Sequence, residues 1–400
     1  MDAQKKEHIK TVIERFDASF YFYDLDLLKN HLGEMARALD PDIKLWYACK
    51  ANPMSAILKV LRNLGFGIDV ASSGELHQVL NAGIKGEHVI ATGPGKSKSY
   101  LKHLLKNEVE TIVLESYNQA LWLNETAAKM NRKVNALIRV QLDWDSGKSV
   151  LGGDAVTPFG LGPKDWKKFD LSAFENINFK GFHIFQWGNI LDPKKLEDIW
   201  DKSLQTIVEL AKDLNIPLDI MDVGGGLGVP YKENEEAINF LDVHDILVKL
   251  KKKYDLKTIW MELGRFTVAE CGSYLTKILD VKEVRGKRLL VTEGGINHCA
   301  RVALTGQAFP CKALNQNDAD ELENFQVHGP LCTALDHLGD FDLPKNLEVG
   351  DWLIFNMAGA YGFTESMPYF LCHKLPGEAL VYNNDLMVPR PPKTSCDWMI

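Results

Sequence analysis

Lys44-Leu45-Trp46-Tyr47-Ala48-Cys49-Lys50-Ala51-Asn52-Pro53 is the stretch that decides the fold. An apolar, aromatic-rich run of strand length ends on a lysine and is broken at once by Asn52-Pro53. Lys50 therefore leaves a strand end and is expected to face a site rather than open water. The same unit recurs over residues 44–265: a short apolar or β-branched run, a turn, then a longer amphipathic segment. That is the pattern of βα units around parallel strands. Eight candidate strands lie near residues 45–50, 67–71, 88–92, 111–115, 134–140, 179–185, 217–223 and 258–262. Between the last of them, residues 196–214 carry Leu196, Ile199, Leu204, Ile207 and Leu210 at helical spacing. Eight such units predict an α/β fold, a closed (β/α)8 barrel.

In such a barrel the loops leaving the strand C-termini converge on one face and carry the chemistry. The ends found here supply Lys50, Asp69, Glu115, Arg139, His183, Gly224 to Gly226, and Glu262 with Arg265. For Asp69 or Glu115 alone, a solvated loop charge is an equally good reading. Their falling at the same end of successive strands favours a site. Beyond about Phe266 the rhythm changes to alternating runs, at 274–281, 288–292 and 352–357, which predict a second, β-rich domain. The expected division is 1–27, with Phe20-Tyr21-Phe22-Tyr23 joining the β domain; 28–265, the barrel; and 266–400, the β-rich domain.

At 400 residues, with 46% hydrophobic and 25% charged residues, the chain is globular and long enough for two cores. A net charge of -8 argues against nucleic acid as a main partner, since binding phosphate over a whole surface needs a basic footprint. The segment 1–15 is too polar for a signal-peptide core and no apolar run approaches a membrane span, so no membrane association and a cytoplasmic location are expected. Seven cysteines without CxxC spacing support neither a disulfide framework nor a metal site.

Gly224-Gly225-Gly226-Leu227-Gly228 follows the run Ile220-Met221-Asp222-Val223. This sets unhindered backbone N–H groups just past a strand end, where they can cradle a phosphate. Glycine runs also make plain turns, and the Lys-Ser/Thr of a nucleotide P-loop is missing. A phosphate cradle sharing a barrel face with a lysine suggests pyridoxal 5'-phosphate, whose aldehyde needs an amine. An acidic group must then partner the ring nitrogen, and Glu262 in Glu262-Leu263-Gly264-Arg265 is the candidate. Arg265 suits a phosphate or a carboxylate through paired N–H donors.

Six motifs in order are Tyr47 to Pro53, Asp69-Val70-Ala71-Ser72-Ser73-Gly74-Glu75, Gly224 to Gly226, Glu262 to Arg265, Gly329-Pro330-Leu331-Cys332 through Asp336, and Gly359-Ala360-Tyr361-Gly362. Together they resemble the fold-type III pyridoxal phosphate decarboxylases, the diaminopimelate and ornithine decarboxylase family with an alanine racemase-like plan. The resemblance implies that Lys50 is the Schiff-base lysine and Glu262 the pyridinium partner. Gly224, Gly225, Gly226, Gly264, Arg265 and Tyr361 would surround the phosphate, His183 would stack on the ring, and Asp69 and Arg139 would complete the cofactor site. Cys332, presented from the partner of a homodimer, would return a proton after carbon dioxide leaves. Alanine racemase itself needs a catalytic tyrosine where this chain has Cys332.

Two departures from the family pattern bear on function. A small Gly-Ser pair is usual after His183, and this chain has Ile184-Phe185-Gln186-Trp187. Beside the cysteine, ornithine-type enzymes carry Asp and diaminopimelate-type enzymes Glu, which read the substrate's distal amine; here stands Thr333. A neutral hydroxyl does not pair with an ammonium as a carboxylate does. Thr333, the non-proline Glu262-Leu263-Gly264-Arg265 and the tail Tyr369-Phe370-Leu371-Cys372-His373-Lys374 resemble the branch of siderophore and antibiotic pathways. Its substrates are amino acids conjugated through an amide, for example to citrate, or loaded on a carrier. Arg301 would bind a substrate carboxylate, with Thr333 and Asp336 completing the substrate site. The alternatives are a diaminopimelate, ornithine or lysine decarboxylase of primary metabolism, and a non-catalytic protein that binds pyridoxal phosphate as a regulator.

Overall fold

A computed structural model of the chain describes residues 3–143, 148–149, 152–153, 156–317 and 319–399. The chain forms two compact units. One comprises Met1–Asn30, Tyr231–Glu235 and Val268–Ile400, and the other His31–Pro230 and Glu236–Thr267.

In chain order, the first strand is β1 (Phe20–Asp24), followed by β2 (Ile43–Ala48), β3 (Gly67–Val70), β4 (Val89–Ala91), β5 (Thr111–Leu114) and β6 (Val134–Arg139). A two-stranded ribbon, β7 (Lys148–Ser149) with β8 (Gly152–Gly153), precedes β9 (Ile177–His183), β10 (Ile220–Asp222) and β11 (Ile259–Leu263). Strands β2 to β6 and β9 to β11 pair in parallel, each with the next in sequence, and β11 returns to pair with β2 from Ile259↔Ile43 to Leu263↔Tyr47. All eight strands expected from the repeat are present, and they close a barrel.

Local chemistry sets the strand-to-helix turns. Ser72, Ser97 and Ser116 each follow a barrel strand and accept a hydrogen bond from the backbone N–H three residues on, capping the helices Ser73–Asn81, Lys98–Lys106 and Tyr117–Lys129. Each cap satisfies an N–H that the helix cannot. The longest helix, Pro193–Leu214, buries Leu196, Ile199, Leu204, Ile207 and Leu210, the stripe the sequence predicts.

Inside the barrel, Trp46, Ile90, Val113, Leu137 and Trp260 form one apolar cluster. The two indole rings lie 4.7 Å apart, tilted. Gly67 on β3 leaves the room they need, because a Cβ at that position would come within 2.1 Å of the Trp46 ring.

The other unit is built on a nine-stranded sheet. Its remaining strands are β12 (Gly272–Val284), β13 (Lys287–Thr292), β14 (Cys311–Ala313), β15 (Leu322–His328), β16 (His337–Pro344), β17 (Trp352–Phe355), β18 (Gly377–Tyr382) and β19 (Asp385–Arg390). Strand β1 lies between β12, antiparallel, and β18, parallel. Ile9, Val12, Phe20, Phe22, Leu275, Ile354 and Val381 make a core of this unit. The aromatic run Phe20 to Tyr23 is thus an inner strand of the β-rich unit.

Gly67→Ala is expected to lower stability by about 1–3 kcal/mol through overpacking against Trp46, measured as a lower urea midpoint with an unchanged slope. An unchanged midpoint would mean that the indole pair moves aside at no cost.

Candidate active site

The barrel strands deliver polar groups at or near their C-terminal ends, and most of those groups are buried. Asp69, Glu115, Arg139, His183, Asp222 and Glu262 are all under 9% exposed. Burial penalises each charge, so the partners these groups find define the site.

At the ends of β5 and β6, Glu115 accepts from Arg139 Nη1 at 3.1 Å and from the backbone N–H of Gly160 at 2.8 Å. The Arg139 guanidinium lies over the Phe159 ring at 4.7 Å. Arg139 therefore ends its strand as one half of a buried ion pair. Asp69, ending β3, accepts from Thr92 Oγ1 at 2.7 Å. Burial first, and then the Glu262 charge, push its carboxyl up to about 7, against the lowering effects of Lys50, the Thr92 bond and Lys96.

His183 Nε2, ending β9, lies 3.0 Å from Glu262 Oε1 on β11. Burial first, then the charge of Arg139, hold the imidazole well below its ordinary range, so it is neutral. With Nε2 engaged by Glu262, the ring's Nδ1 is buried with no hydrogen-bond partner among the described residues. Burial also raises the Glu262 carboxyl, while Lys50 and Arg139 lower it. Asp222, ending β10, accepts from the Gly224 N–H at 2.9 Å through Oδ1, and its Oδ2 is buried with no partner among the described residues. Ligand atoms of His183, Asp222 and Glu262 lie within 4.8 Å of one another. Two acids and an imidazole so placed call for a cationic partner, of the kind that a metal ion or a protonated ring nitrogen provides.

The glycine run lies against the same elements. A Cβ on Gly224 would fall 2.3 Å from Ile184 O, one on Gly225 2.1 Å from Glu262 O, and one on Gly226 2.9 Å from Trp187 O. Gly224 and Gly226 also hold φ of 68° and 116°, which other residues rarely adopt. The glycines thus let this turn, where a phosphate cradle was expected, pack directly against the backbone of the neighbouring elements. The Phe185 ring flanks it, with Cδ2 3.0 Å from the position of a Gly224 Cβ, where the family pattern has small residues.

Lys50 sits in a one-turn helix, Cys49–Ala51, directly after β2. Its side chain is exposed, yet its charge acts on Asp69, Glu75, His183 and Glu262. It is thus a lysine at the open mouth of the barrel, above a floor of buried acids; it borders the site and is also open to water. Gly264 and the half-buried Arg265 follow β11, Arg265 opening the short helix Arg265–Val268.

Lys96 was not singled out by its sequence. It is 3% exposed, donates to Gly93 O at 2.5 Å, and its ammonium is lowered to about 8, by burial first, in the field of Glu115, Arg139, Asp69 and Glu262. Asp222 was passed over as part of an apolar run. An acid inside such a run, two residues before a glycine triplet, was the available signal.

The β-rich unit holds the other expected residues. Asp336 is 1% exposed, and its two carboxylate oxygens accept from the N–H groups of Ile296 and Leu331, both at 2.7 Å. Gly295 and Gly329 make room for it, since a Cβ on either would lie within 2.4 Å of its carboxylate. Asp336 therefore ties the Gly294-Gly295 turn to the turn that displays Cys332. Cys332 is exposed, and Thr333 beside it is half-buried and accepts from the Leu335 N–H at 3.2 Å. Arg301 is buried, lies 3.5 Å from Glu365, and covers the Tyr231 and Tyr361 rings at 6.0 and 5.6 Å. Tyr361 holds a left-handed φ of 55°.

Comparison with known proteins places the chain among pyridoxal-dependent enzymes. The family model described as pyridoxal-dependent decarboxylase, pyridoxal binding domain, matches residues 25–269. Diaminopimelate decarboxylase of Helicobacter pylori is 33% identical, covering 88% of this chain and 87% of that protein. A solved structure of the Helicobacter pylori enzyme complexed with L-lysine superimposes with a TM-score of 0.86 at 27% identity, covering 97% and 98% of the two chains. L-glutamyl-[BtrI acyl-carrier protein] decarboxylase of Niallia circulans is 28% identical over 97% of this chain and 94% of its own. 2-[(L-alanin-3-ylcarbamoyl)methyl]-2-hydroxybutanedioate decarboxylase of Staphylococcus aureus is 28% identical over 92% and 96%.

The residues present fit pyridoxal phosphate: a side-chain-free glycine turn beside the site, buried acids with an oxygen unpartnered among the described residues, and a lysine at the mouth. A carboxyl raised above its ordinary value of 3.8 stabilises the fold fully only below about pH 4, and that contribution is lost as pH rises through about 7. Asp69→Asn should therefore flatten this loss. Between about pH 4 and 7 the urea stability of cofactor-free protein should fall less in the variant than in the wild type, by at least about 1 kcal/mol; parallel profiles would place the titration elsewhere. The matched domain, the closed barrel and the acid-floored mouth agree, and the chain belongs to the pyridoxal-dependent decarboxylase family.

Proposed function

We propose that this chain decarboxylates an amino acid already joined to another group through an amide or acyl linkage, such as a citryl diamino acid or a carrier-bound amino acid, in siderophore or related secondary metabolism. The observation that carries the reading is Thr333 beside Cys332. A free diamino acid presents a distal ammonium there, and a neutral hydroxyl already accepting a backbone N–H leaves that charge uncompensated. In an amide-linked substrate the ammonium is gone, and a hydroxyl is a sufficient partner. The names of the Niallia circulans and Staphylococcus aureus relatives, which describe an acyl-carrier-bound and an amide-linked substrate, support the same reading.

Bound pyridoxal phosphate supplies an electron-accepting ring for cleavage at the substrate's α-carbon. In our reading Lys50 is the amine that holds the cofactor aldehyde and afterwards frees the product. Glu262 partners the ring nitrogen, and the neutral His183 both orients Glu262 and offers a flat face to the ring. Asp69 and Arg139, with their partners Thr92 and Glu115, keep the floor of the pocket in place. Gly224 to Gly226, Gly264, Arg265 and Tyr361 hold the phosphate. Arg301 takes a substrate carboxylate. Cys332, from the second chain of a homodimer, delivers a proton to the α-carbon. Among the described residues no helix is long and apolar enough to cross a membrane, and the reaction we propose needs no lipid surface.

Carbon dioxide release should be measured with holoprotein on diaminopimelate, ornithine, lysine, citryl diamino acids and a carrier-bound amino acid. Conjugates are expected to exceed free diamino acids in kcat/KM by about ten- to a hundredfold, the value of a charge-assisted hydrogen bond. Thr333→Glu should narrow that ratio. Faster turnover of free diaminopimelate would favour the alternative suggested by the Helicobacter pylori relative. Cys332→Ser is expected to lower kcat by about 10²–10⁴ with cofactor absorbance intact, whereas Lys50→Ala should lose that absorbance altogether.

A further inference from the structure

Cys372 and Cys396 are exposed thiols with no part in the chemistry above. The 23 residues between them include strands β18 and β19, and the two ends of that segment meet again in a short antiparallel bridge. The Leu375 N–H donates to Lys393 O at 2.7 Å, and the Lys393 N–H to Leu375 O at 3.3 Å. Cys372 lies three residues before this bridge and Cys396 three residues after it, so each stands just beyond the point where the two ends of the segment meet. The two thiols are near enough for Cys396 to act on Cys372 and raise its thiol.

Both positions are held. Leu371 and Cys372 have left-handed φ of 59° and 56°, a conformation that residues with side chains adopt only where surrounding structure imposes it. On the other side, the Cys396 N–H donates to Thr394 Oγ1 at 3.2 Å, and Lys393 pairs with Asp397 at 3.4 Å. By contrast Cys49, Cys271 and Cys299 are buried, out of reach of oxidants.

We propose that Cys372 and Cys396 form a redox-responsive dithiol that a hydroperoxide closes into an intrachain disulfide. One thiolate attacks the peroxide oxygen, breaking the O–O bond and releasing water, or an alcohol from an organic peroxide, to leave a sulfenic acid. The second thiol, as thiolate, attacks that sulfur and forms the S–S bond, and the hydroxyl leaves as water with the remaining proton. The peroxide is reduced by two electrons and the thiol pair oxidised by two. The product ties the C-terminal segment to the turn that follows Phe363–Glu365, and shrinks the freedom of the unfolded chain over the enclosed loop.

The test treats holoprotein with limiting hydrogen peroxide, blocks remaining thiols with iodoacetamide and digests with trypsin without reductant. A cross-linked pair of peptides, Asn346–Lys374 with Thr394–Ile400, should appear two hydrogens lighter than the sum of the reduced pair and should vanish with dithiothreitol. In Cys396→Ser the link should be absent and Cys372 recovered alkylated or as a sulfur oxyacid. The wild-type melting midpoint should rise by about 3 °C on oxidation, with no rise in the variant. Exposed Cys332 serves as the internal gauge of oxidant access. Oxidised Cys332 beside two separately alkylated peptides, or a linked species of doubled chain mass on a non-reducing gel, would overturn the proposal.

Discussion

Desolvation of ionisable groups at one end of the barrel is the constraint on which the rest of the structure depends. Burial is the first cause of the shifts at Asp69, Lys96, His183, Asp222 and Glu262. Groups so placed are costly unless paired. Some pairings are internal: Arg139 with Glu115, Thr92 with Asp69, His183 with Glu262. What remains among the described residues is an unpartnered Asp222 oxygen and His183 nitrogen, and perturbed groups of this kind gather where chemistry occurs.

That arrangement requires a closed barrel with little play. The strands are three to seven residues long, and each contributes its functional group within a residue or two of its end. A slip of one residue in any pairing would turn that group from the lumen to the helices. The Trp46 and Trp260 pair in the lumen resists such slippage by filling the space that a shifted strand would need. The glycine run does the opposite: it leaves out side chains, because Ile184, Phe185, Trp187 and Glu262 already occupy the volume around it.

In the β-rich unit the same economy appears in Asp336. The motif Gly329-Pro330-Leu331-Cys332 through Asp336 and the distant Gly294-Gly295 turn are one interlocked feature. Two glycines make room for a carboxylate whose backbone contacts hold the turn displaying Cys332. The family resemblance put Asp336 with the substrate. Each of its oxygens also accepts a buried N–H group, which only the folded backbone reveals.

The eight strands, the helix stripe at Leu196 to Leu210 and the cluster of charged strand ends were legible because they are local: side-chain periodicity and turn chemistry are set by near neighbours. Lys50, His183, Glu262 and the glycine run were legible for the same reason, each standing where an apolar run stops. Lys96 and Asp222 were not, since nothing adjacent in sequence distinguishes a surface charge from one that the barrel will bury. Sequence alone determined that these residues end parallel strands and that a closed barrel with a lysine past one strand end results. Tertiary structure alone decided which charges lose their water and which groups compensate them, because desolvation depends on every strand that surrounds a residue and on no single stretch of chain.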